Sequence, residues 1–230
     1  MAYRFTIGRR IGFGFAIFIL LTMVAFISTI ITIRESKKRT ETVVSQVTPS
    51  VAELKQLNFL LQKSHTNISK WFYNKSFNDV EFREELITII QRDYVAQKIR
   101  LQTLSQNWGT KEKKDLDIIF NRIEILFKVY QNEIMNQLSS TEAYEDPNIY
   151  LMARLPYEDS EVSIKTIFKL LNQLITDKQK NAETVTNSMF RGFTFLNTFV
   201  EIMGIALVIG GILIAVFTTR SITRPVQRLK

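Results

Sequence analysis

Two uncharged apolar runs dominate the pattern of hydrophobic and polar positions. Ile11–Ile33 is a run of 23 residues without a charge, and Ile202–Thr219 is a run of 18. As helices they would reach about 34 and 27 Å, against roughly 30 Å for the hydrocarbon core of a bilayer. Both are predicted to span it. The first is too long for the core of a signal peptide, and no small-residue cleavage site follows it, so it reads as an uncleaved anchor. Glu201 lies at the outer edge of the second run, where a carboxylate can reach the interface. The expected spans are residues 11–33 and 193–219.

Between the spans the pattern changes to apolar residues at steps of three and four, the period of amphipathic helices. Four stripes follow one another. The first runs Val47, Val51, Leu54, Leu57, Leu61, Ile68, Trp71. The second runs Ile87, Ile90, Tyr94, Leu101, Leu104, Trp108, widened by Phe82, Leu86 and Ile89. The third runs Leu116, Ile119, Ile123, Leu126, Tyr130, Ile134, Leu138, and the fourth Ile164, Phe168, Leu171, Ile175, Lys178, Ala182, Val185, Met189. From Arg34 to Arg191 Gly109 is the single glycine, and the prolines are Pro49, Pro147 and Pro156, a scarcity that favours long helices. Breaks are expected at Asn74–Asp79 and at Asn107–Thr110, with Gly109 past a helix end and Thr110 as the next N-cap. Ser139–Ser160 reads as a longer connection in which Asp146–Pro147 opens a short helix that Pro156 limits. Four helices with short links predict an all-α, antiparallel four-helix bundle over residues 34–192. Nothing alternates as a strand does, and no segment repeats.

Charge fixes the expected orientation. The net charge is +8, but the excess lies in two acid-free tails: Arg4, Arg9 and Arg10 before the first span, and Arg220, Arg224, Arg228 and Lys230 after the second. The rest of the chain nearly balances. This is the positive-inside pattern, which places residues 1–10 and the C-terminal tail in the cytoplasm and the bundle on the far side of the membrane. Arg34, Lys37, Lys38 and Arg39 pull the other way, yet a long segment translocates largely regardless of its charge. A nucleic-acid partner is not expected; membrane lipid is. The chain has no cysteine, so disulfides and thiolate chemistry are excluded.

The last ten residues, Ser221–Lys230, read SITRPVQRLK. Ile222, Thr223, Pro225, Val226 and Leu229 match the Ile-Thr-x-Pro-hydrophobic opening of a HAMP linker, and residues 220–230 resemble the start of one. Proline suits the first turn of a helix, where its missing N–H has no partner in any case, so Pro225 is expected to restart a helix at a bend. The whole arrangement resembles the input half of a bacterial receptor of the methyl-accepting chemotaxis or sensor histidine kinase type with a four-helix-bundle sensor. That resemblance implies a homodimer and a cytoplasmic output domain in cis beyond Lys230. It also implies coupling through Ile222, Pro225 and Leu229. The competing expectation is a membrane-tethered helical scaffold without output.

No convergent set of reactive groups marks an enzyme, and no cofactor or metal is expected within this region. His65, the sole histidine, lies beside the first stripe and is expected to be packed or at the surface. Glu142, Glu145, Asp146, Glu158, Asp159 and Glu161 form an acidic end against the single cation Arg154. The same end carries Trp71, Phe72 and Tyr73 on one helix and Tyr150 and Tyr157 on another. Trp71, Tyr73, Tyr150, Arg154 and Tyr157 are therefore the candidate ligand-binding residues, for an unidentified small molecule or a periplasmic binding protein, with capping of the bundle core as the alternative. Ala206 with Gly210, and Gly211 with Ala215, give the small-x3-small spacing that lets helices approach closely.

Overall fold

A computed structural model describes residues 7–74 and 80–227, with the side chains at 7–11, 13–14, 217–218 and 221–227 left aside. The described residues are almost entirely helical and hold no strand. In order they form α1 (Ile7–Thr42), a π-helical segment (Val43–Val47), α2 (Thr48–Tyr73), α3 (Glu81–Thr88), a second π segment (Ile89–Asp93) and α4 (Tyr94–Ser105). Then come α5 (Thr110–Val129), a third π segment (Tyr130–Met135), α6 (Thr141–Glu145) and α7 (Pro147–Gln227). The chain divides into two compact units. One holds α1 as far as Glu41 together with α7 from Val185 onward; the other spans Thr42–Thr184.

The first unit is two apolar helical segments with little to hide in. α1 and α7 each carry a window of mean hydropathy 2.6, none of it buried inside the fold. Phe15, Ile19, Phe26, Phe195, Ile205 and Val208 are among the large apolar side chains left exposed. Two helices are thus long and apolar enough to cross a membrane. Near their polar ends the Arg39 guanidinium donates to Ser188 Oγ at 2.6 Å, and Glu35 pairs with Arg39 one turn away at 3.6 Å. Of the small residues in the apolar part of α7, a Cβ added at Gly211 would come 4.0 Å from the Phe18 ring, whereas one at Gly210 would meet nothing within 4 Å.

The second unit is built on a continuous apolar core. Leu54, Leu57, Leu61, Ile68, Leu86, Leu101, Ile119, Ile123, Tyr130, Ile134, Ile167 and Leu171 are all at most 1% exposed. α2 packs along α3 and α4, and bonds such as Asn58 to Asn172 (3.0 Å) tie it to α7. Gln97, fully buried, reaches both the Glu53 carbonyl and its carboxylate at 2.7 Å, so a polar group inside the core is satisfied across α2 and α4.

Local chemistry sets most boundaries. Asn74 closes α2 with extended backbone; the rest of the expected Asn74–Asp79 break lies outside the described residues. Ser140 Oγ caps α6 by accepting from the Ala143 N–H at 3.4 Å. Asp146 Oδ1 accepts from the N–H of Asn148 at 2.8 Å, and Pro147 takes the first helical position, so α7 starts where the sequence indicates.

Three expectations are corrected. Gly109, not Thr110, is the N-cap of α5: its backbone is extended and its N–H donates to the Glu112 carboxylate at 3.1 Å. Pro156 does not end a short helix, for α7 runs through it. A proline there removes one backbone bond, but Ala153, Tyr157, Ser160 and Ile164 on the same face are buried and hold the turn in place. In the second stripe, Ile87 is 36% exposed while Phe82, Leu86 and Ile89 are buried. The π segment at Ile89–Asp93 adds a residue to the turn, so the core face passes from Phe82–Leu86–Ile89 to Ile90–Tyr94–Gln97–Leu101.

Candidate functional site

Two clusters of side chains in the Thr42–Thr184 unit tie its helices together through polar and aromatic chemistry. The first is at the Tyr73 end. α2 ends in Trp71, Phe72 and Tyr73, and these consecutive rings cannot share one helix face. Phe72, 3% exposed, stacks on Tyr157 of α7 at 4.3 Å and on Tyr150 at 5.0 Å. Tyr73 meets both Phe72 (5.0 Å) and Tyr157 (5.6 Å) edge-on and keeps 66% of its surface exposed. Four of the aromatics flagged in the sequence therefore do converge. Arg154 is one turn from Tyr150 and Glu158 on the exposed side, bonded to the Glu158 carboxylate at 2.7 Å, which raises the guanidinium pKa further.

Trp71 turns the other way. Its indole N–H donates to the Leu138 carbonyl at 3.0 Å, and the Arg83 guanidinium lies 4.4 Å above its ring. Arg83, itself 6% exposed, also donates to the Tyr144 hydroxyl at 3.3 Å, and Tyr144 donates to the Trp71 carbonyl. Trp71 thus caps the core between α2, α3 and α6, with its polar edge and its ring face both occupied.

Below the rings a polar seam joins α2 to α7. The Tyr157 hydroxyl bonds to Ser69 Oγ at 3.1 Å, and burial pushes its pKa up to about 12. His65 Nδ1 stands 3.5 Å from the Glu161 carboxylate, partly exposed, so the histidine is neither core nor free surface but part of this seam. Tyr130 of the third π segment buries its hydroxyl near Ser160, Glu161 and Tyr157 without a hydrogen bond among the described residues. Its complete burial raises its pKa strongly, so it stays protonated.

The second cluster is at the opposite end of α2. Lys178 occupies a core position of α7 with its side chain only 7% exposed. Its ammonium bonds to Glu112 Oε2 at 2.6 Å and lies 4.0 Å from the centre of the Trp108 ring. Glu112 accepts in addition from the Gly109 N–H and, at 3.4 Å, from Asn181. Trp108 donates to Ser50 Oγ at 3.0 Å, and Ser50 donates to the Gln46 carbonyl in the first π segment at 2.5 Å. One buried cation therefore links α7, the start of α5, the α4–α5 turn and the junction leading into α2. The sequence displays Lys178 in the middle of an apolar stripe, which is the signal for a buried ion; its partner Glu112 is not legible, because the pairing is 66 residues distant.

The candidate coupling residues Ile222 and Pro225 fall near the C-terminal end of α7. The backbone is helical at Ile222 and through Pro225 to Gln227, so Pro225 does not restart a helix after a break; an α-helix can continue through the single backbone bond a proline removes. Leu229 lies outside the described residues.

Comparison of the chain with protein-family models, with curated proteins and with solved structures gives no match.

Proposed function

We propose that this chain is the input module of a bacterial transmembrane signal receptor. Residues 34–192 act as an extracytoplasmic antiparallel four-helix bundle, residues 11–33 and 193–219 as its membrane spans, and 220–230 as the start of a HAMP linker to an output domain. The module works as a homodimer in the inner membrane. A stimulus at the Tyr73 end, from a small molecule or a binding protein, shifts α7 against α2. The displacement travels down α7 to the segment around Pro225.

The observation that carries this reading is the single helix Pro147–Gln227. It contributes stacked Tyr150 and Tyr157 at one point, buried Lys178 at another, and the HAMP-like residues at its end. Transmission needs two arrangements of similar energy that a ligand binds unequally. The polar seam and the Lys178 hub support that, since two packings of α7 against its neighbours would pair these polar groups differently.

The test is a full-length receptor with its output domain, measured with Pro225→Ala and with Lys178→Met. Both variants are expected to insert and fold while output no longer follows the stimulus. Normal stimulus-dependent output in both would refute coupling through Pro225 and Lys178, whereas an unaltered receptor whose output answers no stimulus would leave a tethered bundle that recruits a partner and transmits nothing.

A further inference from the structure

A groove of about 520 Å³ runs between α4 and α5, away from the aromatic end and from the Lys178 hub. Its floor is apolar, formed by the buried Ile90, Tyr94 and Phe127; Val95 and Ile99 make one wall and are 46% and 59% exposed. This volume falls within the roughly 300–1,000 Å³ of small-molecule sites.

Charge gives the groove a sign. Lys98 is committed to Glu124 by an ion pair. Lys128 also lines the groove and is exposed, with no salt bridge to an acid among the described residues. The helical backbone continues past it through Met135, so its charge is not needed to cap a helix end. The lining therefore carries one cation in excess. Tyr94 adds a donor: its hydroxyl is 3.4 Å from the Phe120 carbonyl and 3.5 Å from Glu124 Oε1, both at the slack limit of a hydrogen bond. A ligand carboxylate that takes this donor sits beside Glu124, whose charge Lys98 already neutralises. Burial and Glu124 hold this phenol protonated well above neutral pH.

Two π-helical segments meet here. Ile90 belongs to one and Gln131 to the other, and Tyr94 follows the first directly. A π turn costs backbone geometry and is frequently kept where it aims side chains at a functional site. Its extra residue lets the buried face pass from Ile89 to Tyr94, five positions on.

We propose that this groove binds a small amphipathic monocarboxylate, an aryl- or alkyl-carboxylic acid whose anion pairs with Lys128 and the Tyr94 hydroxyl. Its hydrocarbon covers Ile90, Val95, Ile99 and Phe127. The site is separate from the Tyr73 end, and its occupancy is read by binding alone, so it stands or falls independently of the receptor reading.

The experiment is isothermal titration of the full chain in lipid nanodiscs with 3-phenylpropionate, with empty nanodiscs as the blank and 3-phenylpropanol and 3-phenylpropylamine as probes of charge. Saturable binding of the acid is expected, with the alcohol at least tenfold weaker and the amine not bound. Lys128→Glu and Ile99→Glu, both at exposed positions, are expected to weaken the acid at least tenfold without loss of helicity by circular dichroism. Heat no different from empty nanodiscs, equal affinity for acid and amine, or unchanged affinity in both variants would overturn the proposal. Absence of binding together with a change of oligomeric mass in Ile99→Glu would assign the groove to a second copy and overturn it as well.

Discussion

Lys178 is a buried cation in the apolar stripe of α7. Its charge is withdrawn from water and stabilised by Glu112 and by the Trp108 ring, two interactions that each strengthen as solvent is excluded. Lys178→Met is expected to cost about 3 kcal/mol in chemical denaturation followed by circular dichroism, because Glu112 is left largely buried without its cation. The double change Lys178→Met with Glu112→Met should recover much of that loss, since both buried charges then disappear. Tyr157 makes a pH prediction of defined sign. Its pKa is raised in the folded state to about 12, so its contribution is full below about pH 10, the unfolded value. The unfolded chain ionises first as pH rises, and stability falls between about pH 10 and 12. Tyr157→Phe should lower stability at neutral pH by about 1 kcal/mol through the lost Ser69 bond. It should also flatten the alkaline fall, measured by denaturation at stepped pH alongside phenolate absorbance.

At the scale of elements, the π segments explain why periodicity alone placed the second stripe ambiguously. Ile87 and Ile90 repeat as well as Leu86 and Ile89 do, and only the extra residue in Ile89–Asp93 decides that Ile87 faces out. Deleting exposed Gln91 should convert that π turn to α-helix while both flanking core faces keep their register. The deletion is expected to retain a cooperative thermal unfolding transition. Deleting Arg122 in the middle of α5 should rotate every later core residue by about 100° and abolish the transition. Comparable melts for the two deletions would refute this account of the π segment.

For the whole molecule, the prediction is topological. The natural chain has no cysteine, so single cysteines report without background. In intact cells a membrane-impermeant maleimide is expected to label Ser139→Cys, whereas Ser221→Cys should be labelled only after permeabilisation. The opposite pattern would invert the orientation that the basic tails indicate and would place the Thr42–Thr184 unit on the cytoplasmic side.

The sequence by itself determined the helical class, the two apolar segments and the start of α7 at Pro147. These follow from information carried within a few residues: hydropathy over a span, the three-and-four repeat, an Asp-Pro ahead of a helix. It also brought Phe72, Tyr73, Tyr150 and Tyr157 to one end, because two helices of known polarity meet there. Tertiary structure alone decided the rest. The continuation of α7 past Pro156 depends on the burial of Ala153, Tyr157 and Ser160, which outweighs the missing backbone bond. The turning of Trp71 toward Leu138 and Arg83, the partner of Lys178 and the groove of α4 and α5 are all contacts between distant segments. A local pattern says that a side chain is apolar or charged and which face it takes; only the packed fold says what stands opposite it.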